Sequence, residues 1–470
     1  MSSLSSVAEP APLSREQQLW RWRILISTYL AYIAFYFVRK VFPLVKVSLI
    51  TQFGWTKQEV ANIWTAFLVA YMLGQFLNGY IGQRRGARML LLGGLGASIA
   101  INVAFAANSS YALFMAFMVC NGFVQATGWP GVVGGVAQWL RPFERGRYMG
   151  PWSTSYIIGN LAVKGVGGLL LGNKLTGMIA AMGVGSLVMV SEGWRRLYLG
   201  CTAIAFVLWW VSYFWHRDTP QEVGLEPIVD PNAEDVRAIR QPGDGHVTLR
   251  DYITLAYNPV VLAMGMAYFC LKFLRYALDS WLPTFLSMEG LTGDQAALYS
   301  MFFDIGGIIP CALTGWALDR IFKGNWARLC FVGGVGLMGG YVLVVLFEAN
   351  PLLVALSYGV VGFMLYGPDT VINGAAAVAV AGEKNAVALA ALINGIGSIG
   401  PIVQEQLIPR LMAGKDDAAS IHVSNQLALG MSVFFVLMML LVMRRVHVAH
   451  RNNREADRNH CYWRKRVCGW

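Results

Sequence analysis

Nine ionisable residues stand inside stretches that are otherwise apolar: Arg39, Lys40, Lys164, Lys272, Arg275, Asp279, Asp304, Asp369 and Glu405. A charge at mid-bilayer costs about 2.5–3.5 kcal/mol on insertion scales, so each is expected to face a cavity or a partner. Lys272 and Asp279 lie three residues before and four after Arg275, which puts all three on one helical face. That face has two readings. Either Arg275 and Asp279 neutralise each other within the helix, or Arg275 and Lys272 present positive charge to a water-filled centre. Tyr32, Tyr36 and Arg39 fall at i, i+4 and i+7, so two phenols share the face of that arginine. Arg39 and Lys40 can also be read as an interfacial anchor that snorkels at a helix end. Two guanidinium groups meeting in one chamber would suit a tetrahedral dianion, because each can donate two parallel hydrogen bonds to its oxygens. Lys164 has two open roles, adding positive charge to such a site or pairing with Asp304, Asp369 or Glu405. No Gly-rich phosphate loop, nucleophile–base pair or metal-ligand cluster is evident, so no enzymatic activity, cofactor or metal is expected.

The elements that must carry these residues are membrane helices. Of 470 residues 56% are hydrophobic and only 13% charged, where a soluble domain carries roughly 25% charged. Apolar runs fall at about 22–43, 59–82, 89–108, 112–140, 149–172 and 196–215. Six more lie at about 259–287, 294–318, 329–347, 351–380, 387–412 and 424–443. The expected fold is an all-α membrane protein with twelve transmembrane helices in two six-helix, pseudo-symmetric bundles. The expected divisions are an N-terminal bundle over 1–215, a cytoplasmic linker over 216–258, a C-terminal bundle over 259–443 and a basic tail over 444–470. Lys174 to Glu192 fits no span and reads as a re-entrant or interfacial piece.

The formal charge of +11 suggests nucleic-acid binding at first sight. Its distribution argues otherwise. Basic residues cluster before span one, after spans two, four and eight, and after span twelve, which places both termini and the linker in the cytoplasm. The seven cysteines show neither metal-site spacing nor a disulfide framework. His447, His450 and His460 sit in the basic tail, where contact with anionic lipid is expected.

Phe37-Val38-Arg39 matches Phe273-Leu274-Arg275, and Gly79 to Arg84 matches Gly315 to Arg320, both at an offset of 236. Equivalent helices should place equivalent residues at similar depth, which favours a deep Arg39. Parallel six-span repeats are the signature of carriers that rock two bundles around a midplane site.

The chain resembles the organophosphate:phosphate antiporter family of the major facilitator superfamily. The resemblance rests on Tyr36 to Lys40, Gly122 to Pro130, Glu144-Arg145-Gly146, Trp152 to Ser155, Arg217 to Leu225, Leu274-Arg275-Tyr276 and Tyr366-Gly367-Pro368. It implies an alternating-access carrier in which Arg39 and Arg275 grip the substrate phosphate. On this reading Tyr32, Tyr36, Gln75, Trp152, Tyr156, Lys272 and Tyr366 complete the substrate site. Lys164, Asp279, Asp304, Asp369 and Glu405 then serve as coupling or charge-pairing groups. The implied partners are a small organic anion, phosphate or a proton, and the lipid bilayer, with no nucleic acid and a monomeric carrier in a bacterial inner membrane. The pattern also departs from the glycerol-3-phosphate branch, since Gln75 stands where that branch has a lysine and Tyr156 where it has a histidine. Those departures point to a different substrate within the class. The alternatives are a proton-coupled carrier of a carboxylate, siderophore or zwitterion, and a transporter-like sensor. Gly-Trp-Pro and Tyr-Gly-Pro read as helix kinks, and glycines 128, 165, 167, 168, 395, 397 and 400 as points of close helix approach.

Overall fold

The computed structural model describes residues 13–141, 148, 151–171, 192–228, 257–348, 350–373 and 375–467. Most of the linker, and Lys174 to Glu192 apart from Glu192 itself, lie outside the described residues. So do the side chains of Gly79 to Arg84 and of the tail beyond Arg445.

The described chain is helical throughout. Span one is broken in two, α1 over Arg15–Phe37 and α2 over Val41–Phe53. Span two is α3 (Lys57–Arg85), and span three is a π turn at Met89–Gly93 running into α4 (Gly94–Ala106). Span four is α5 (Tyr111–Gln125) followed by α6 (Gly128–Ala137); spans five and six are α7 (Thr154–Leu171) and α8 (Gly193–Trp215). In the second half span seven is α9 (Pro259–Met288), and span eight is α10 (Gly293–Tyr299) with α11 (Met301–Arg320). Spans nine to twelve are α12 (Trp326–Leu346), α13 (Pro351–Asn373), α14 (Ala375–Met412) and α15 (Asp417–Val467). Among the described residues nine of the twelve are long and apolar enough to cross a bilayer by themselves. Spans one, two and eleven fall short, and these are spans that bring polar side chains to the interior.

The break in span one has an identifiable support. After Phe37 the backbone turns, and the Arg39 and Lys40 amides both donate to the Tyr36 carbonyl, at 3.2 and 2.8 Å. The Val38 carbonyl is left without a helical donor and accepts from Asn102 Nδ2 (2.9 Å) and Asn121 Nδ2 (3.4 Å). Non-helical backbone at membrane depth persists only where neighbouring side chains satisfy it. Hydropathy therefore ended this span too early, at about residue 43, and left Lys46 outside it. Gly-Trp-Pro stands at the start of α6, where span four breaks, whereas α13 runs on through Tyr366-Gly367-Pro368.

Two apolar cores form, one drawn almost wholly from α1–α8 and the other from α9–α15. A third, small cluster joins them: Ala61 of α3, Ala277, Trp281 and Phe285 of α9, Ile408 and Met412 of α14. It lies toward the far face, the end of the bundle that carries Gly54, Glu289 and Ala413. The opposite end carries Arg88, Arg217, Arg320 and Arg444 and is called the basic face. Small residues let helices meet closely. A Cβ on Gly168 would stand 2.5 Å from Leu298 Cγ, and one on Gly400 would stand 2.6 Å from the Phe269 carbonyl oxygen. Gly395, expected to do the same, has open space around it.

Candidate functional site

Lysine–carboxylate pairs stitch the halves together, and all of them run the same way. Lys40 Nζ lies 3.2 Å from Asp279 Oδ2, Lys46 Nζ 2.5 Å from Glu405 Oε1, and Lys164 Nζ 2.5 Å from Asp304 Oδ2. Each lysine comes from the first half and each acid from the second. Asn160 links two of the pairs, donating to Asp279 Oδ1 (3.0 Å) and Asp304 Oδ1 (2.8 Å). Glu405 is satisfied on both oxygens, since Oε2 accepts from Ser280 (2.8 Å), Trp281 (3.0 Å) and Gln404 (3.1 Å). Polar contacts continue toward the far face, where Gln406 meets Gln58, Asn62 and Thr65.

The intrahelical Arg275–Asp279 pair does not form. Asp279 is taken by Lys40, and Arg275 Nη1 donates to Asp369 Oδ2 of α13 at 2.8 Å. Lys164 joins Asp304, one of the two roles open to it. Lys40 is buried in the interior, so the interfacial-anchor reading of Arg39 and Lys40 fails. Broken backbone turns both side chains inward from a helix end.

Among the described residues six core cations thus face four carboxylates, and the two left over are Arg39 and Lys272. Both are at least nine-tenths buried, and neither has an acidic partner among the described residues. Arg39 lies over the ring of Tyr71 at 4.4 Å, with Phe67 at 5.5 Å and Tyr36 at 5.9 Å. Aromatic faces stabilise a desolvated cation only partly, and its Nε has no hydrogen-bond partner. Lys272 donates to Asn394 Oδ1 (2.6 Å) and Ser398 Oγ (3.0 Å), both neutral. Between them lies a cavity of about 80 Å³, lined by Arg39, Leu68, Tyr71, Met72, Gln75, Lys272, Tyr276, Asn394, Ser398 and Pro401. One water needs roughly 10–15 Å³ by this measure, so the space admits several waters or an ion of phosphate size. Among the described residues no carboxylate lines it. Its walls come from spans one, two, seven and eleven, two from each half.

The residues expected from the sequence fall into three places. Arg39, Gln75 and Lys272 line the cavity. Arg275 sits beside it between the rings of Tyr156 and Tyr366, at 4.8 and 5.1 Å, and Tyr156 Oη lies 3.5 Å from Cys311 Sγ. Tyr32 and Trp152 are set back in an aromatic cluster, 5.3 Å apart, where Trp152 Nε1 donates to Thr28 Oγ1. Tyr36 bridges that cluster and Arg39. The facing cation across the cavity is therefore Lys272, because Asp369 holds Arg275 aside. Sequence reasoning passed over Tyr71, Asn394, Ser398, Asn160 and Lys46. All but Lys46 are polar residues inside an apolar run, and Tyr71/Gln75 and Asn394/Ser398 each show an i, i+4 spacing that could have exposed them.

The family model described as Major Facilitator Superfamily matches residues 28–404. The chain is 27% identical over 392 residues to a glycerol-3-phosphate transporter of Bacillus subtilis (strain 168), covering 81% of this chain and 83% of that one. It is 28% identical over 372 residues to the membrane sensor protein UhpC of Escherichia coli (strain K12), covering 76% and 78%. Its fold matches the crystal structure of a bacterial homologue of the human lysosomal transporter Spinster with a TM-score of 0.72 at 16% identity, over 90% of this chain and 97% of that one. With twelve spans in two halves, a cavity walled by both, and a family model matching most of its length, the chain belongs to the Major Facilitator Superfamily.

Proposed function

We propose that the chain is a secondary carrier that exchanges a phosphorylated organic anion, of the sugar-phosphate or glycerol-phosphate class, for inorganic phosphate by alternating access. One observation carries this reading. Every other core cation has a carboxylate, while Arg39 and Lys272 face a shared cavity without one. Unpaired buried charges are costly, and a dianion between these two would cancel them. Gln75, Asn394 and Ser398 offer neutral hydrogen-bonding groups to the hydroxyls of the organic moiety. The relative named as a glycerol-3-phosphate transporter supports the substrate class.

The exchange follows from the electrostatics. Arg39 belongs to one half and Lys272 to the other, so bringing the halves together around an empty cavity brings like charges together. An anion between them lowers that barrier because it interacts differently with the states along the cycle. The basic face is assigned to the cytoplasm by its arginines, and the far side is the end at which the two halves interlock. The carrier works as a monomer in a bacterial inner membrane.

Counterflow in proteoliposomes tests the proposal. Vesicles loaded with phosphate should accelerate uptake of a labelled sugar phosphate or glycerol phosphate, and Arg39→Lys, still inserted, should abolish it. Uptake driven by a pH gradient and indifferent to internal phosphate would overturn the exchange in favour of a proton-coupled carrier. Binding of phosphate without flux would make the protein a sensor, a reading kept open by the similarity to UhpC.

A further inference from the structure

Arg275 is a core cation paired inside its own half, and its pair is incomplete. The guanidinium donates once to Asp369 Oδ2, at 2.8 Å, while Arg275 Nε and Asp369 Oδ1 are both buried without a hydrogen-bond partner. The other core carboxylates are better served. Glu405, Asp279 and Asp304 each receive donors on both oxygens. Asp369 is 5% exposed, so no bulk water supplies the missing donor. The ionisable groups facing the pair are Lys272, Tyr268, Tyr276 and Asp279 of α9, Tyr156 of α7, Cys311 of α11 and Tyr366 of α13 itself, with Tyr36 and Lys40 from span one. Of the two further cations among these, Lys272 is engaged by Asn394 and Ser398 and Lys40 by Asp279. Arg275 lies one helical turn beyond Lys272 on the same face, beside the cavity that Lys272 and Tyr276 line.

We propose that Asp369 is a built-in counter-anion of Arg275, which phosphate displaces, and that the displaced carboxylate takes up a proton, so that anion binding is proton-linked. The proposal rests on the reading of the cavity as a phosphate site. Once Arg275 turns to the bound anion, Asp369 is a buried carboxylate with no cation to hold it, and such a group neutralises itself by protonation. The balance is simple. One proton passes from water in the cavity to a carboxylate oxygen of Asp369, which becomes the acid, and Arg275 trades one anion for another. The net charge brought in by a dianion falls from two negative to one. Both exchanged anions carry the same proton, so the exchange itself runs without a pH gradient.

Calorimetric titration of the purified full-length protein with inorganic phosphate, in two buffers of different ionisation enthalpy at one pH, counts the linked protons. The wild type should take up about one more proton per phosphate bound than Asp369→Asn. The variant, freed of its internal competitor, should bind phosphate about tenfold tighter or more. Sulfate is the second ligand, since it trades no proton near neutral pH and lets the wild type alone report uptake by the protein. Equal proton counts in wild type and variant, or sulfate bound by the wild type with no uptake, would overturn the role of Asp369 and leave the anion site standing. Failure of phosphate to bind either protein removes the anion site and this proposal with it.

Discussion

Lys272 meets an arriving anion with neutral neighbours to give up, Asn394 and Ser398, and no carboxylate to dislodge. Its charge is thus available to the ligand. A hydrogen bond to a charged group contributes about 1.5–3 kcal/mol, so Lys272→Met should weaken phosphate binding roughly tenfold to a hundredfold, measured by calorimetry on folded protein. Gln75 lines the same cavity, and Gln75→Lys should add a third unmatched cation and strengthen phosphate binding in that assay. A different residue adds a pH dependence to stability. Glu289 caps the end of α9 outside the span, where burial, and then the charge of Glu348, push its carboxyl up from 4.5 to about 7. A raised acid holds its proton longer in the folded state than in the unfolded chain. Its unfavourable effect is absent below about pH 4.5, grows as pH rises through the window to about 7, and is complete above it. Thermal stability in detergent should fall across that window, and Glu289→Gln should flatten the slope.

At the scale of elements, the broken span one and the lysine–acid pairs explain one another. The turn at Val38 to Lys40 aims Arg39 at the cavity and Lys40 at Asp279, and α2 then carries Lys46 to Glu405. The Lys46–Glu405 pair is wholly buried on both sides. Removing one member of such a pair strands the other and costs about 3–5 kcal/mol, whereas replacing both by apolar residues is often neutral. Glu405→Leu should therefore lower the melting temperature sharply, and Lys46→Met combined with Glu405→Leu should restore most of it. Lys46 Nζ also lies 3.9 Å from the ring centre of Trp281, which gives the methionine an aromatic surface to pack on.

For the whole molecule, the direction of the pairs sets which state is favoured. Lysines of one half and acids of the other hold the far side shut, so weakening them should shift the population toward opening there. Lys164→Met with Asp304→Leu should raise the reactivity of a cysteine placed at Gln58, on the far side, toward an impermeant thiol reagent. Unchanged labelling would mean that the pairs stabilise the halves without governing access. Much of this architecture was legible in the chain itself. Span number follows from apolar length, because a bilayer offers no hydrogen bonds and forces each crossing into a helix. The two-fold repeat and most of the buried charges follow from position alone, Lys46 being the one that hydropathy left outside its span. The partners of those charges do not. Asp279 stands one turn from Arg275 in sequence, yet it is Lys40 that reaches it and Asp369 that reaches Arg275. Pairing depends on which helices pack and how they rotate, and a break at Val38, held by Asn102 and Asn121, redirects three cations at once. Sequence determined most of the charges that enter the membrane; only the packing of the two halves decided which of them remain free to hold an anion.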